Sequence, residues 1–407
     1  MSNPVFSSAS QTLKSSEVRE LLRFAQQPNV ISLAGGMPAA SLFDVKGIQS
    51  ACASVLTQTD RQAFQYGATE GQTRLQHEIQ QLMRARGVKS SQHRALVTSG
   101  SQQGLDLIAR AFLNPGDCVV VERPSYLAAL QVFNLAQARI IELETDADGA
   151  QVDLLNELMA EHGKPKFIYI VSTFSNPSGA SLSLSRREKL VRWAAKNSVF
   201  ILEDDPYGEL RFRGSPLPSL LAIAEKLETE IPGASQWIIY ASSFSKILMP
   251  GLRLGWLQLP QACFDTVARV KQATDLQTAS FNQEIAAAYL ASGRLKGQLE
   301  RICQHYRNQQ LSLTEALKVH FGDLLRFALP DGGMFIWASF TNPVDTRKLL
   351  QFALPHGILF VPGASFYADN PVLNTMRLSF VSVTPEQLFE GVRRLRLAYD
   401  EMVKSSI

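Results

Sequence analysis

Short apolar runs separated by helical patterns fill the stretch from residue 95 to residue 241, and this alternation constrains the fold more than any other feature of the chain. The runs are Ala95–Ser99, Cys118–Val121, Phe167–Thr173, Val199–Leu202 and Trp237–Ala241, most of them rich in β-branched or aromatic residues. Between the first two, Gln102–Phe112 spaces Leu105, Ile108, Ala109 and Phe112 as one face of a helix would, and Ser185–Asn197 is a second helical segment. Strands that are apolar throughout are buried on both faces. Alternating with helices, they predict an α/β fold with a mostly parallel sheet and helices on both sides.

The pattern changes after about Asn282. Glu284–Ala291 and Leu299–Lys318 read as helices, followed by short strands at Arg326–Leu329, Met334–Trp337 and Leu378–Phe380 and a final helix from Pro385. This is the pattern of a smaller α+β unit, and 407 residues exceed what one ordinary core organises. The expected division is an N-terminal arm with part of the small domain over 1–45, a large domain over 46–285 and a small domain over 286–407.

Other classes find little support. Lysine plus arginine is 40 against 37 acidic residues, too even for a nucleic-acid-binding surface. Cys52, Cys118, Cys263 and Cys303 are far apart and form no CxxC pair, and the six histidines show no ligand spacing. Neither a metal site nor a disulfide framework is expected. No run approaches the ~18 apolar residues of a membrane span, and the polar, Ser-rich start has no signal-peptide core. A cytoplasmic protein with small-molecule ligands, no nucleic acid and no membrane is the expectation.

In such sheets ligands bind beyond the carboxyl ends of the strands, and the chemically informative residues fall there. Ser99-Gly100-Ser101-Gln102 closes a strand and opens a helix, whose free N–H groups and positive dipole end suit an anion. Ser243 and Lys246 follow Trp237–Ala241, with Arg253 seven residues after the lysine, and a guanidinium fork with serine hydroxyls suits a phosphate. Asp204 ends another strand, three residues before Tyr207. A buried carboxylate there would keep a pyridine nitrogen protonated. Asn176 lies in Ser-Asn-Pro-Ser-Gly, where its amide could hydrogen-bond a phenolic oxygen. Taken singly, these are a loop lysine, a helix start and two turns.

In this order, Asn176, Asp204, Tyr207, Ser243, Lys246 and Arg253 resemble the fold-type I pyridoxal-phosphate aminotransferases of class I/II, and within them the 2-aminoadipate, aromatic and kynurenine branch. The resemblance runs from Ser16-Glu17-Val18-Arg19 and Leu33-Ala34-Gly35-Gly36-Met37-Pro38 through Tyr66-Gly67-Ala68-Thr69-Glu70-Gly71 and Gly332-Gly333-Met334-Phe335. It ends at Asn374-Thr375-Met376-Arg377-Leu378-Ser379-Phe380. It implies a large domain with a mostly parallel seven-stranded sheet flanked by helices, a smaller α+β domain, and a homodimer with shared active sites.

It also implies roles. Lys246 would carry pyridoxal 5′-phosphate as an imine and act as the base, with Asp204 on the ring nitrogen. Asn176 and Tyr207 would bond the phenolic oxygen, and Tyr126 would stack on the ring. Ser101, Gln102, Ser243 and Arg253 would hold the phosphate, joined by Tyr66 from the neighbouring subunit. Arg377 would grip the substrate carboxylate, with Gly36 and Asn176 beside it. Arg19, in a short amphipathic segment, is a candidate reader of a distal carboxylate, or equally an exposed helix arginine.

The reaction implied is amino transfer from an L-amino acid (2-aminoadipate, aromatic or aliphatic) to a 2-oxo acid such as 2-oxoglutarate, in a ping-pong cycle. A β-elimination or decarboxylation on the same scaffold is the alternative. A ligand-sensing regulator is disfavoured, because about 15 residues ahead of the enzyme-like region leave no room for a DNA-binding module.

Overall fold

A computed structural model describes residues 6–11, 21, 23–25, 27–57, 61–89 and 92–405 of the chain. In chain order its strands begin with β1 (Ile31–Ser32), β2 (His93–Thr98), β3 (Cys118–Arg123), β4 (Arg139–Asp146) and β5 (Gly149–Ala150). They continue with β6 (Phe167–Ile170), β7 (Phe200–Asp204), β8 (Ile238–Ser243) and β9 (Gly255–Pro260), and end with β10 (Leu325–Phe327), β11 (Phe335–Phe340), β12 (Ile358–Leu359), β13 (Val361–Pro362) and β14 (Thr375–Ser379).

The large sheet runs β2-β9-β8-β7-β6-β3-β4-β5. Pairing is parallel from β8 across to β4, and antiparallel where β9 inserts between β2 and β8 and where the two-residue β5 folds back on β4. Seven strands thus make up the body of the sheet, as expected, and β5 adds a short eighth at the edge. The apolar runs sort by the two-residue period of a strand. Val119, Val121, Phe167, Tyr169 and Leu202 join the core on one face, while Val120, Ile168, Ile170 and Ile201 join the core on the other. Burial of both faces is what those runs predict.

Two details differ from the sequence reading. The run predicted over Phe167–Thr173 leaves the ladder after Ile170, because the Val171 N–H donates to the buried carboxylate of Glu122 at 2.9 Å instead of to a neighbouring strand. The sequence reading also lacks β4 and β9, along with the two-residue strands β1, β5, β12 and β13. β4 carries alternating charged residues, the pattern of a sheet margin, and β9 reaches its place only through antiparallel tertiary pairing.

The second sheet is antiparallel, in the order β10-β11-β14-β13. It lies with the long helices Leu295–Phe321 and Pro385–Lys404, which pack against each other. The last helix starts as expected at Pro385. Thr384 caps it by accepting from the Gln387 N–H, while Gln387 Oε1 accepts from the Thr384 N–H, a reciprocal capping box. Between the two sheets runs the segment after β1. β1 pairs in parallel with β12, and the Leu33 carbonyl accepts from the Ser379 N–H at 2.7 Å, so Ala34 and Gly36 are carried from β14 toward the ends of the large-sheet strands.

Among the described residues no helix is long and apolar enough to cross a membrane, and no cluster of histidine, cysteine or carboxylate side chains could hold a metal.

Candidate active site

Chain segments beyond the carboxyl ends of β6, β7 and β8 meet the helix that follows β2 around a cavity of about 420 Å³. At one end lies the start of helix Ser101–Phe112. Gly100 precedes it with φ 86°, and a Cβ there would stand 2.8 Å from Arg253 Nη2. A glycine is therefore what lets the turn adopt a left-handed backbone and the guanidinium approach it. Arg253 is itself left-handed at φ 53° and donates to the Ser99 carbonyl at 3.4 Å. Ser243 Oγ accepts from the Ser245 N–H at 3.0 Å. Ser101, Gln102, Ser243 and Arg253 all line this end, which has the donor set of an anion cradle.

Lys246 sits in the middle. Its Nζ donates to the Gly36 carbonyl at 2.8 Å, bridging the segment after β1 to the turn after β8. Burial, reinforced by the positive charges of Arg377 and Arg253, lowers its pKa to about 8. That is the range in which an amine can accept and release protons near neutrality.

Asp204, the last residue of β7, is buried on the cavity wall. Its Oδ2 accepts from the Tyr169 hydroxyl at 2.9 Å, and its Oδ1 has no partner. Burial raises the carboxyl pKa to about 7, the Tyr169 bond opposes that rise, and the nearby Asp205 and Glu203 add to it. A buried carboxylate with one open oxygen calls for a cationic partner.

At the far end Arg377 extends from β14. Nη1 donates to Asn176 Oδ1 at 2.8 Å and Nη2 to the Ala34 carbonyl at 2.7 Å, while Nε is buried without a partner. The rings of Phe335 and Phe366 lie 4.2 and 5.0 Å from the guanidinium carbon. Burial lowers the arginine pKa to about 10, against the pull of Tyr207 and Tyr126. The Tyr207 hydroxyl is buried, with a raised pKa, and hydrogen-bonds Asn176. Tyr126 lines the cavity at the start of helix Leu127–Leu135.

The structure thus gathers Gly36, Ser101, Gln102, Tyr126, Asn176, Asp204, Tyr207, Ser243, Lys246, Arg253 and Arg377 around one cavity. Tyr66 is not on its wall and is 79% exposed. Arg19 lies outside the described residues, as does most of the segment expected to form a helix around it. Sequence reasoning missed Tyr169, Phe335, Phe366 and Gln131. Tyr169 and Phe335 lie within apolar runs and read as core, Phe366 falls in the short turn Gly363–Phe366 after β13, and Gln131 faces the cavity from helix Leu127–Leu135.

Residues 28–395 match the family model described as aminotransferase class I and II. An aromatic-amino-acid aminotransferase of Thermococcus litoralis is 39% identical over 98% of this chain and 95% of its own length. A multiple substrate aminotransferase from Thermococcus profundus superposes with a TM-score of 0.91 at 38% identity, covering 98% of each chain. LysN of Thermus thermophilus, an α-aminoadipate aminotransferase solved with N-(5′-phosphopyridoxyl)-L-leucine, gives 0.88 at 32% identity, again over 98% of each chain. The chain belongs to the aminotransferase class I and II family and is a pyridoxal-phosphate enzyme that transfers amino groups.

Proposed function

We propose that this enzyme moves the amino group of an L-amino acid to a 2-oxo acid, 2-oxoglutarate being the expected acceptor, in two half-reactions at one site. The observation that carries the reading is the convergence of a lysine of lowered pKa, a buried carboxylate with an open oxygen and a buried arginine with an open N–H on one cavity. This donor set fits pyridoxal phosphate. Ser101, Gln102, Ser243 and Arg253 would hold the phosphate, Asp204 the ring nitrogen, and Asn176 with Tyr207 the phenolic oxygen, with Tyr126 against the ring.

When bound, the cofactor supplies an electron sink for the charge left on the substrate Cα when its proton leaves. Lys246 Nζ would hold the cofactor until the incoming substrate amine displaces it, and as a free amine it would then take the Cα proton and hold it for return. Its lowered pKa leaves a usable fraction of free amine near neutral pH. Arg377 binds the substrate carboxylate and fixes the orientation of the Cα–H bond. Asp204 would pair, ionised, with the ring nitrogen and keep it protonated. Gly36 gives up its carbonyl contact with Lys246 when the lysine moves, and it has no side chain to obstruct the substrate.

The donor is 2-aminoadipate, an aromatic or an aliphatic amino acid, with Arg19 the candidate reader of an acidic side chain. The working unit is a homodimer in which Tyr66 reaches the phosphate of the neighbouring subunit. Its 79% exposure outside the cavity supports that role. The expected boundary at 286 falls inside helix Ser280–Ala291, which packs against Val45–Leu56 and Thr73–Ala85, so we place the division at the turn 292–294. A cytoplasmic location accords with four free cysteines.

A panel of amino donors with 2-oxoglutarate, read by glutamate formation, tests the reading. Oxo acid and glutamate formed in equal amounts support it. Ammonia or CO₂ released from an amino acid alone would favour elimination or decarboxylation.

A further inference from the structure

We infer that Tyr169 is a positioning residue for the ring-nitrogen carboxylate: its hydroxyl, 2.9 Å from Asp204 Oδ2, fixes the carboxylate and leaves Oδ1 as the oxygen presented to the cofactor. The inference rests on the assignment of Asp204 proposed above and deepens it.

The contact follows from strand register. β6 and β7 run parallel with Tyr169 opposite Leu202, so the two side chains share one face of the sheet. Asp204 lies two residues after Leu202, hence on that same face and one step nearer the strand end. A phenol is long enough to span that step, and the ring is held by the edge of Phe133, with centroids 5.6 Å apart. Tyr169 is fully buried, so water does not compete for its hydroxyl.

The donor count makes the arrangement directional. A phenol has one proton to give, and an ionised carboxylate only accepts. Tyr169 is the only side-chain donor to Asp204 among the described residues, and Glu203 and Asp205 on either side are both acidic. The hydroxyl also opposes the rise in the Asp204 pKa that burial imposes. With a phenylalanine at position 169 the carboxylate would lose its only neutral donor and its fixed orientation, while the packed volume would hardly change.

The test is Tyr169→Phe in the holoenzyme, in the wild-type and the Asp204→Asn backgrounds. It reads cofactor dissociation, the nitrogen-15 shift of labelled cofactor, and kcat and KM separately. In the wild-type background the cofactor is expected to dissociate about tenfold to a hundredfold more readily, the range commanded by a hydrogen bond to a charged group. The nitrogen shift should move toward the unprotonated value, and kcat should fall while the donor KM stays within about twofold. In the Asp204→Asn background the same change should alter cofactor dissociation by less than about twofold, because the partner charge is gone. Equal losses in both backgrounds, or a Tyr169→Phe enzyme with wild-type nitrogen shift and dissociation, would overturn the inference. An unprotonated ring nitrogen in the wild-type holoenzyme would instead overturn the assignment of Asp204, and the role of Tyr169 with it.

Discussion

Arg377 Nη1 donates to Asn176 Oδ1 across 2.8 Å, joining a strand of the small antiparallel sheet to the turn that follows β6 of the large one. The two residues are 201 positions apart in the chain. Their bond ties the end of the cavity proposed for the substrate carboxylate to the part proposed for the cofactor ring, so a substrate held by Arg377 would be registered against the cofactor.

Arg377→Lys should separate charge from geometry. Lysine keeps the positive charge but cannot hold Asn176 Oδ1 and the Ala34 carbonyl from one planar fork. The expected result is a loss in kcat/KM for the amino donor of roughly a hundredfold, mostly through KM. Steady-state kinetics with several donors would show it. An unchanged KM would mean that the substrate carboxylate binds elsewhere.

Asp204→Asn should stabilise the apoenzyme while impairing the loaded one. The folded-state pKa of Asp204 is about 7, raised from an ordinary value of 3.8, chiefly by burial. The folded chain therefore binds more protons than the unfolded chain between those values, and stability falls as pH rises through that window. The cost is fully present above pH 7 and absent below about pH 4. The apo variant is expected to exceed wild type at pH 8 by roughly 2–4 kcal/mol, with the gap closing toward pH 4. Denaturant titration at both pH values measures it, and an apo variant that is weaker at pH 8 would contradict the strain assigned to this carboxylate.

Lys246 should be the most reactive lysine of the apoenzyme near pH 8. Burial and the charges of Arg377 and Arg253 lower its pKa to about 8, so its free amine becomes the major form above that pH. Acylation by a small activated ester, followed residue by residue by peptide mass, should show a midpoint near 8 for Lys246 and near ~10 for surface lysines. Arg377→Met should move the Lys246 midpoint upward, since it removes a neighbouring cation. An unmoved midpoint would exclude that coupling.

Gly100→Ala should damage the phosphate end specifically. The residue is left-handed at φ 86°, and a Cβ would stand 2.8 Å from Arg253 Nη2. Gly116 has the same φ of 86° but open space around it. Gly116→Ala is expected to cost only the backbone term of about 1–2 kcal/mol. Gly100→Ala should add to a similar cost a weaker stabilisation of the apoenzyme by inorganic phosphate, read as a smaller rise in melting temperature. Equal phosphate responses in the two variants would place the anion elsewhere.

How far the sequence reveals this site follows from how each residue gets there. Asp204, Lys246 and Ser101 follow the ends of apolar runs, which places them where a sheet of this kind binds ligands, although singly each reads as a turn, a loop lysine or a helix start. Arg377 and Gly36 carry no such local mark; they were legible only through the motifs around them. Tyr169 was hidden because its importance depends on the register of β6 against β7, and register is a property of the folded sheet. Phe335 and Phe366 flank Arg377 through the antiparallel register of β11 and β13 against β14 within the small sheet, pairings that join segments distant in the chain. β9 was missed for a related reason, since its place between β2 and β8 comes from antiparallel pairing that no local period announces.

Borohydride reduction of the holoenzyme, followed by peptide mass mapping, measures the central claim most directly. Hydride should lock the bond between Lys246 Nζ and the cofactor, leaving a phosphopyridoxyl group on the peptide that contains Ser243, Lys246 and Arg253. Lys246→Ala should carry no label and show no transamination. A label on any other lysine, or amino transfer by Lys246→Ala at the wild-type rate, would contradict it.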